Sequence, residues 1–486
     1  MANRVSRVCV GLLLAGCDDA DVPHAGQGAL TLDAVGVPGL ATGVELTVRA
    51  DPPAAVTVVC AVAGDRWVTS REAADTHVVR WYGLLPGLTY ACTATADGKV
   101  AQLRYGTPRI SSDLPAPFVS GTTSGLTLLN HVGVAKLSRL VVLDAKGRVR
   151  WHHNLAGDPN LGVEAAFLPE TTGGPVFLAG GGEGYNPRLI GLDGVEVWTA
   201  PSAVAGGDHH HDVQWVGDEE ILALSHASDR EGVVGWDGFA LETVRAWTGE
   251  RTWSWRSQTA VNRDQLPAFA GDDHDVYHAN AMTAHPDDPE GASYMVSLKH
   301  LHQIARLDIA TGDLTWKLGV GGDFALLEAD GSPATDERWF FGQHAPEPHL
   351  RPDGRWDFWI HDNGMDRPDG DLYSRVLRLE VDVQARTARI AWEWTEPGWY
   401  EPVFGDVDVL PDGHVLVTMG HCPQCPGSSD LRRTAIVELD PETDAVTWRA
   451  TLWSEEEASY RAQRIEGCDL FPENTTLCPD GAQRLP

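Results

Sequence analysis

The chain has 486 residues, 43% hydrophobic and 22% charged, a globular composition that excludes a disordered, collagenous or multi-span membrane protein. Its 37 Lys and Arg stand against 69 Asp and Glu, a formal charge of −32 that removes nucleic acid from the partners, since phosphate binding needs a basic surface. Gly at 51, Pro at 30 and Trp at 18, against Met at 5, describe many turns joining short strands.

At the N-terminus, Arg4 and Arg7 precede a short apolar run, Val8 to Ala15, and the small-residue site Leu14-Ala15-Gly16-Cys17. This resembles a bacterial lipoprotein signal. The resemblance implies a signal peptide over 1–16 and a lipidated Cys17 holding the chain to a membrane surface, with 17–30 as a tether. The body is then extracytoplasmic, periplasmic or on the cell surface. The alternative is an ordinary secretory signal with an incidental cysteine. No later apolar run reaches the ~18 residues that span a bilayer. The six remaining cysteines form three locally spaced pairs, Cys60 with Cys92, Cys422 with Cys425 and Cys468 with Cys478, as suits an oxidising compartment. Cys422-Pro423-Gln424-Cys425 also has the spacing of half a zinc site or a redox pair. With no second such motif nearby a structural disulfide is favoured, and no metal is expected.

Over 31–110 the alternation in Val44-Glu45-Leu46-Thr47-Val48 and Val56-Thr57-Val58-Val59-Cys60 predicts antiparallel strands. Gly83 to Cys92 resembles the late strands of a fibronectin type III or immunoglobulin-like domain, which implies a small N-terminal β-sandwich. From about 115 a repeat appears: a β-run ending near Leu-Asp, a polar turn, then a run ending in Trp. It occurs at Leu143-Asp144 to Trp151, Leu192-Asp193 to Trp198, Leu307-Asp308 to Trp316 and Leu439-Asp440 to Trp448. Looser copies run from Leu241-Glu242 to Trp255 and from Leu379-Glu380 to Trp392. The tryptophans follow one another at 47 to 76 residues, a period that suits four-stranded blades with insertions. The expected fold is therefore all-β, a six-bladed β-propeller over 115–486 with little helix, and the repeat tryptophans are structural.

Such a frame hosts many chemistries, so function must be read from polar residues at its centre. The 19 histidines cluster about once per blade, in Asp208-His209-His210-His211-Asp212, Asp275-Val276-Tyr277-His278-Ala279-Asn280, Gln343-His344, His361-Asp362-Asn363-Gly364 and Gly420-His421-Cys422. Each has a bland reading. Asp-Asn-Gly is a hairpin signal in any β protein, a lone histidine is more often hydrogen-bonded structure than catalyst, and the 209–211 run could be a solvated loop or an adventitious metal site. Their order and spacing together carry more weight.

In that order, with Ser297 to Asp308, Thr311 to Gly319, Ser374-Arg375 and Ser459 to Arg464 between and after them, the clusters resemble the bacterial arylsulfotransferase family over roughly 200–470. That resemblance implies a six-bladed propeller behind an N-terminal β-sandwich, outside the cytoplasm. It also implies transfer of a sulfuryl group from an aryl sulfate donor to a phenolic acceptor through a sulfated histidine, with no nucleotide and no cofactor. Carried over, His421 is the expected nucleophile, by position only, and His278 the second choice. His344 or His278 serves as acid and base, and Arg367 and Arg375 as cations. His211, Asn280 and Asn363 are the expected substrate-binding residues. The chemistry needs such a set. A sulfate ester leaves through a loose transition state whose charge wants cationic and N–H donors. A neutral imidazole can attack sulfur without anionic repulsion, and a second imidazole can move the phenolic proton. Two other readings stand beside it, a catalytically silent ligand-binding lipoprotein propeller and a quinone-dependent dehydrogenase-like propeller. A homodimer is the one protein partner left open.

Overall fold

A computed structural model describes residues 28–111, 114, 116–132, 138–155, 164–180, 186–203, 209–227, 238–260, 275–422, 432–454 and 458–479. The expected signal peptide, Cys17, most of the tether and Cys425 lie outside them. The fold is all-β, 59% strand and 3% helix. Helical structure among the described residues is confined to short turns such as Ser257–Ala260 and Gly467–Leu470.

Five N-terminal strands, Leu30–Gly36, Val44–Val62, Asp65–Trp81, Thr89–Ala96 and Lys99–Gly106, hydrogen-bond as one sheet. The long Val44–Val62 strand pairs with Asp65–Trp81 along one edge, and with Leu30–Gly36 and then Thr89–Ala96 along the other. Its inward residues Val44, Leu46, Val48, Val56, Val58 and Cys60 alternate with more exposed neighbours, the period-2 pattern of a half-buried strand. Cys60 and Cys92 face each other on neighbouring strands and form a disulfide. Closing a 32-residue separation, it contributes roughly 3–4 kcal/mol by constraining the unfolded chain. Cys468 and Cys478 form a second.

Beyond residue 120 the described strands form six antiparallel sheets. Taken from the centre outward, sheet 1 is Ala458–Ile465, Leu126–Val132, Ser138–Asp144 and Val149–Leu155; sheet 2 is Glu164–Leu168, Val176–Gly180, Arg188–Gly191 and Glu196–Thr199. Sheet 3 is His209–Trp215, Glu220–Ala227, Gly238–Arg245 and Arg251–Arg256; sheet 4 is Ala279–His285, Ser293–Leu298, Gln303–Asp308 and Leu314–Gly319. Sheet 5 is His344–Leu350, Trp356–Asp362, Arg375–Asp382 and Thr387–Trp394, with Ala325–Leu327 added in parallel. Sheet 6 is Asp406–Val409, Val415–Cys422, Arg432–Asp440 and Ala445–Ser454, extended by Phe118–Gly121. The six inner strands touch one another in succession, and the last touches the first. Two long-range pairings close that circuit: Ala458–Ile465 joins Leu126–Val132, and Phe118–Gly121 joins Ala445–Ser454.

Four of the six repeat tryptophans fasten neighbouring sheets. The indole N–H of Trp151 donates to Leu192 O at 2.9 Å, Trp255 to Gly312 O at 2.8 Å, Trp392 to Asp444 Oδ1 at 2.8 Å and Trp448 to Ala145 O at 2.9 Å. Each acceptor lies in the Leu-Asp turn of the next copy, and Trp448 reaches forward to the first. A large apolar ring is thus buried with its one polar atom satisfied.

The N-terminal sheet packs on sheets 1 and 2 through a common core that includes Trp67, Trp81, Leu128, Trp151, Phe177 and Phe471. Residues 466–479, grouped by the sequence with the repeats, lie instead against the N-terminal sheet, with Glu473 O accepting from Val68 N at 2.8 Å and Arg66 O from Thr475 N at 2.8 Å. Asp65 is the buried hub. Its Oδ1 accepts from Arg150 Nη1 (2.8 Å) and Asn474 Nδ2 (2.9 Å), and its Oδ2 from Tyr90 OH (2.5 Å) and Trp67 Nε1 (3.1 Å). Burial alone would raise its pKa, but the Arg150 charge and these hydrogen bonds outweigh it and hold the carboxylate below its usual range.

Candidate functional site

Four of the six inner strands enter the centre with the same irregularity. Ladder register breaks between His209 and Val213, Ala279 and Ala281, His344 and Glu347, and Ser459 and Ala462. At these entries, and just ahead of sheet 6, non-glycine residues sit at positive φ: His211 at 60°, His278 at 45°, Ala345 at 39° and Phe404 at 70°. Each such residue costs about 1–2 kcal/mol against ordinary backbone, and repeated bulges re-aim side chains out of the ladder. The rings of His211, His344 and Phe404 then meet around Tyr460, with centroids 6.2, 6.2 and 5.5 Å from it.

His344, 3% exposed, has its tautomer set by its neighbours. Asn363 Nδ2 donates to Glu401 O and Phe404 O, both at 2.8 Å, which fixes the amide and turns Oδ1 to His344 Nδ1 at 2.7 Å. Nδ1 therefore carries the proton, and Nε2 keeps its lone pair. Burial, then the charge of Lys299, pushes the imidazole pKa well below its ordinary value, so it is neutral at neutral pH. The neighbouring turn is held as firmly: Asn280 Nδ2 donates to Gln343 O at 2.8 Å, and Gln343 Nε2 to Gln303 O at 2.9 Å. Asn280 and Asn363, expected to bind substrate, place these amide N–H groups on backbone carbonyls, while the buried Asn280 Oδ1 has no hydrogen-bond partner.

His278 is held differently. Asp275 accepts its backbone N–H and its Nδ1–H, both at 2.9 Å, leaving Nε2 unprotonated. Burial lowers the His278 pKa and the Asp275 bond raises it, for a net decrease. His211 stands edge-on to His278 at 5.0 Å and its Nδ1 lies 2.5 Å from His210 Nδ1. Lys299, in the turn after Ser293–Leu298, is 6% exposed, and its side-chain ammonium makes no hydrogen bond or ion pair among the described residues. Burial lowers its pKa, and its charge depresses both His344 and His278.

The two arginines separate. Arg375, expected beside the transferred group, is instead committed to the frame: Nε donates to Asp362 at 2.8 Å, Nη1 to Glu393 at 2.6 Å and Nη2 to Arg338 O and Trp339 O at 2.8 and 3.0 Å. Arg367 bonds Asp362 through Nη2 at 2.6 Å and lies over the Tyr373 ring, while its buried Nε and Nη1 have no partner. His421 ends Val415–Cys422, donates its backbone N–H to Glu401 Oε1 at 3.0 Å and stands edge-on to Phe404 at 6.3 Å. Sequence reasoning quoted Asp275 and Tyr460 without assigning them and passed over Lys299 and Phe404. A buried Lys is the signal that would have found Lys299, and burial is not written locally. Phe404 precedes Gly405, whose absent Cβ would meet the His361 ring, and Phe404 has no motif of its own.

A family model described as Arylsulfotransferase (ASST) matches residues 115–461. No curated protein sequence matches the chain. Similar solved structures include a protein of unknown function from Bacteroides caccae, 13% identical, covering 70% of this chain and 100% of its own, with a TM-score of 0.40. The periplasmic gluconolactonase of Pseudomonas aeruginosa is 14% identical, covering 85% and 99%, with a TM-score of 0.37. A quinonprotein alcohol dehydrogenase-like protein from Bacteroides thetaiotaomicron is 8% identical, covering 87% and 94%, with a TM-score of 0.33. These likenesses are too distant to carry an argument about function.

Proposed function

Because the chain belongs to the arylsulfotransferase family, we propose that it moves a sulfuryl group from an aryl sulfate to a phenol through a sulfohistidine, and that His344 is the nucleophile. The observation that carries this is the Asn363-held tautomer of a buried, neutral imidazole. The His344 Nε2 lone pair attacks sulfur, and the S–O bond breaks with its electron pair leaving on the phenolate. Lys299 balances the sulfuryl charge. His278, neutral at rest, takes a proton from solvent at Nε2 once the negative charge of the sulfate ester is bound beside it, and gives that proton to the phenolate as the S–O bond breaks. The neutral His278 then takes the proton of the acceptor phenol as that oxygen attacks sulfur, and the S–N pair returns to His344. Asp275 keeps His278 oriented and stabilises its imidazolium.

We read the six sheets as the blades of a propeller behind an N-terminal β-sandwich; the circuit of inner strands and the contact of Leu30–Gly36 with Lys99–Gly106 support that reading. Two disulfides support an oxidising, extracytoplasmic setting, with Cys17 as the lipid anchor.

The test is to supply 4-nitrophenyl sulfate without acceptor and digest at neutral to alkaline pH, since the N–S bond is acid-labile. A stoichiometric burst of nitrophenol and a sulfuryl adduct on the His344 peptide are expected. An adduct on His421 or His278 would move the nucleophile, and linear release with no adduct would refute the covalent route. A silent ligand-binding scaffold would release no nitrophenol at all.

A further inference from the structure

Asp275, His278 and His300 each bring one ligand atom within 4.8 Å of the others. Two imidazoles and one carboxylate are a borderline donor set, suited to zinc(II) and its neighbours and poor for calcium or magnesium. The set is held by backbone rather than by chance of rotamer. Lys299 N donates to His278 O and His300 N to Tyr277 O, both at 3.2 Å, so the two histidine-bearing segments are tied side by side. The rings lie 4.6 Å apart and 32° from coplanar. His300 Nδ1 donates to Asp275 O at 2.9 Å, which leaves Nε2 as its unprotonated nitrogen. A ring N–H placed on a backbone carbonyl is the outer-shell contact that orients metal-binding histidines. Bringing the widest of these separations, no more than 4.8 Å, to the ~3.3 Å between ligands of a tetrahedral zinc ion is a side-chain adjustment, and water or an incoming oxygen can complete the fourth position.

We propose that Asp275, His278 and His300 bind a divalent transition cation of the zinc type, and that the bound cation inhibits sulfuryl transfer. Binding rests on the donor set alone. Inhibition rests on the role given above to His278: a cation that takes its imidazole and the Asp275 carboxylate replaces the N–H···O bond between them and stops the proton shuttle. The Lys299 ammonium opposes a cation here, so removing it strengthens binding.

Cobalt(II) chloride is the optical probe and zinc chloride the calorimetric ligand, both added to the full chain. Wild type is expected to bind one cation, with tetrahedral visible bands for cobalt. His300→Ala and His300→Gln are expected to lose about 100-fold in affinity, with metal-free turnover of nitrophenyl sulfate unchanged. Lys299→Met is expected to bind zinc more tightly. Zinc should inhibit wild type reversibly to a chelator and leave the His300 variants uninhibited. No cobalt bands and no zinc heat, or equal affinity in wild type and both variants, would overturn the site even in a protein with no transferase activity. Tight binding in wild type with undiminished transfer would overturn the inhibition alone.

Discussion

Asn363→Ala isolates the feature on which the proposed nucleophile depends. The substitution deletes three hydrogen bonds of a residue with no exposed surface: His344 Nδ1–H to Oδ1 at 2.7 Å, and Nδ2 to Glu401 O and Phe404 O at 2.8 Å. At about 1 kcal/mol net for each buried bond, stability falls by about 3 kcal/mol. The catalytic loss is separate. Losing one neutral hydrogen bond of about 1.4 kcal/mol misplaces or re-tautomerises the imidazole enough for a tenfold decline. A site dominated by the wrong tautomer loses about 10⁴-fold, as in other histidine enzymes. Between these limits we expect the nitrophenol burst rate to fall about 100-fold. The assay is stopped-flow release of 4-nitrophenol without acceptor, at a temperature where circular dichroism shows both proteins folded. A burst rate within about twofold of wild type, alongside the expected stability loss, would refute the tautomer argument and leave Asn363 a structural residue.

Three further outcomes follow from the same geometry. His278→Ala should hardly change the burst from nitrophenyl sulfate, whose phenolate leaves unaided, yet slow unactivated phenyl sulfate by about 10²–10⁴-fold; equal losses with both donors would deny His278 its proton role. Burial, reinforced by Glu347, raises the Asp406 pKa to about 6. A raised folded pKa stabilises fully only below the unfolded value of 3.8, and the gain is lost as pH rises from there through 6, so Asp406→Asn should match wild type near pH 3 and exceed it by about 3 kcal/mol at pH 8 in urea titrations. Asp65→Asn puts an amide donor against donors and strips Arg150 of a buried partner, and should destabilise by about 3–5 kcal/mol; a loss under about 1 kcal/mol would mean that the N-terminal sheet and sheet 1 are not coupled through it.

The frame was legible because its signals are local. A Leu-Asp turn followed by a strand ending in Trp reads the same in four copies and loosely in two, and the indole that fastens Trp151 to Leu192 lies within one copy's reach. The site was legible only as a list of residue types. His278, His344 and His211 were named, but nothing in Asn280 or Asn363 tells whether an amide faces substrate or a carbonyl 63 or 38 residues away. Arg375 read as a free cation because Glu393 and the carbonyls of Arg338 and Trp339 come to it from other elements. Lys299 drew no reading at all, since only the packed centre buries it.

Sheet 1 takes its inner strand, Ala458–Ile465, from the far end of the chain, and that strand carries Tyr460, the ring around which His211, His344 and Phe404 gather. During synthesis the other five inner strands emerge before it. A nascent chain that has passed residue 450 can therefore hold every histidine discussed above and still lack the residue at their hub. The cluster of rings is therefore completed only when Ala458–Ile465 docks beside Leu126–Val132.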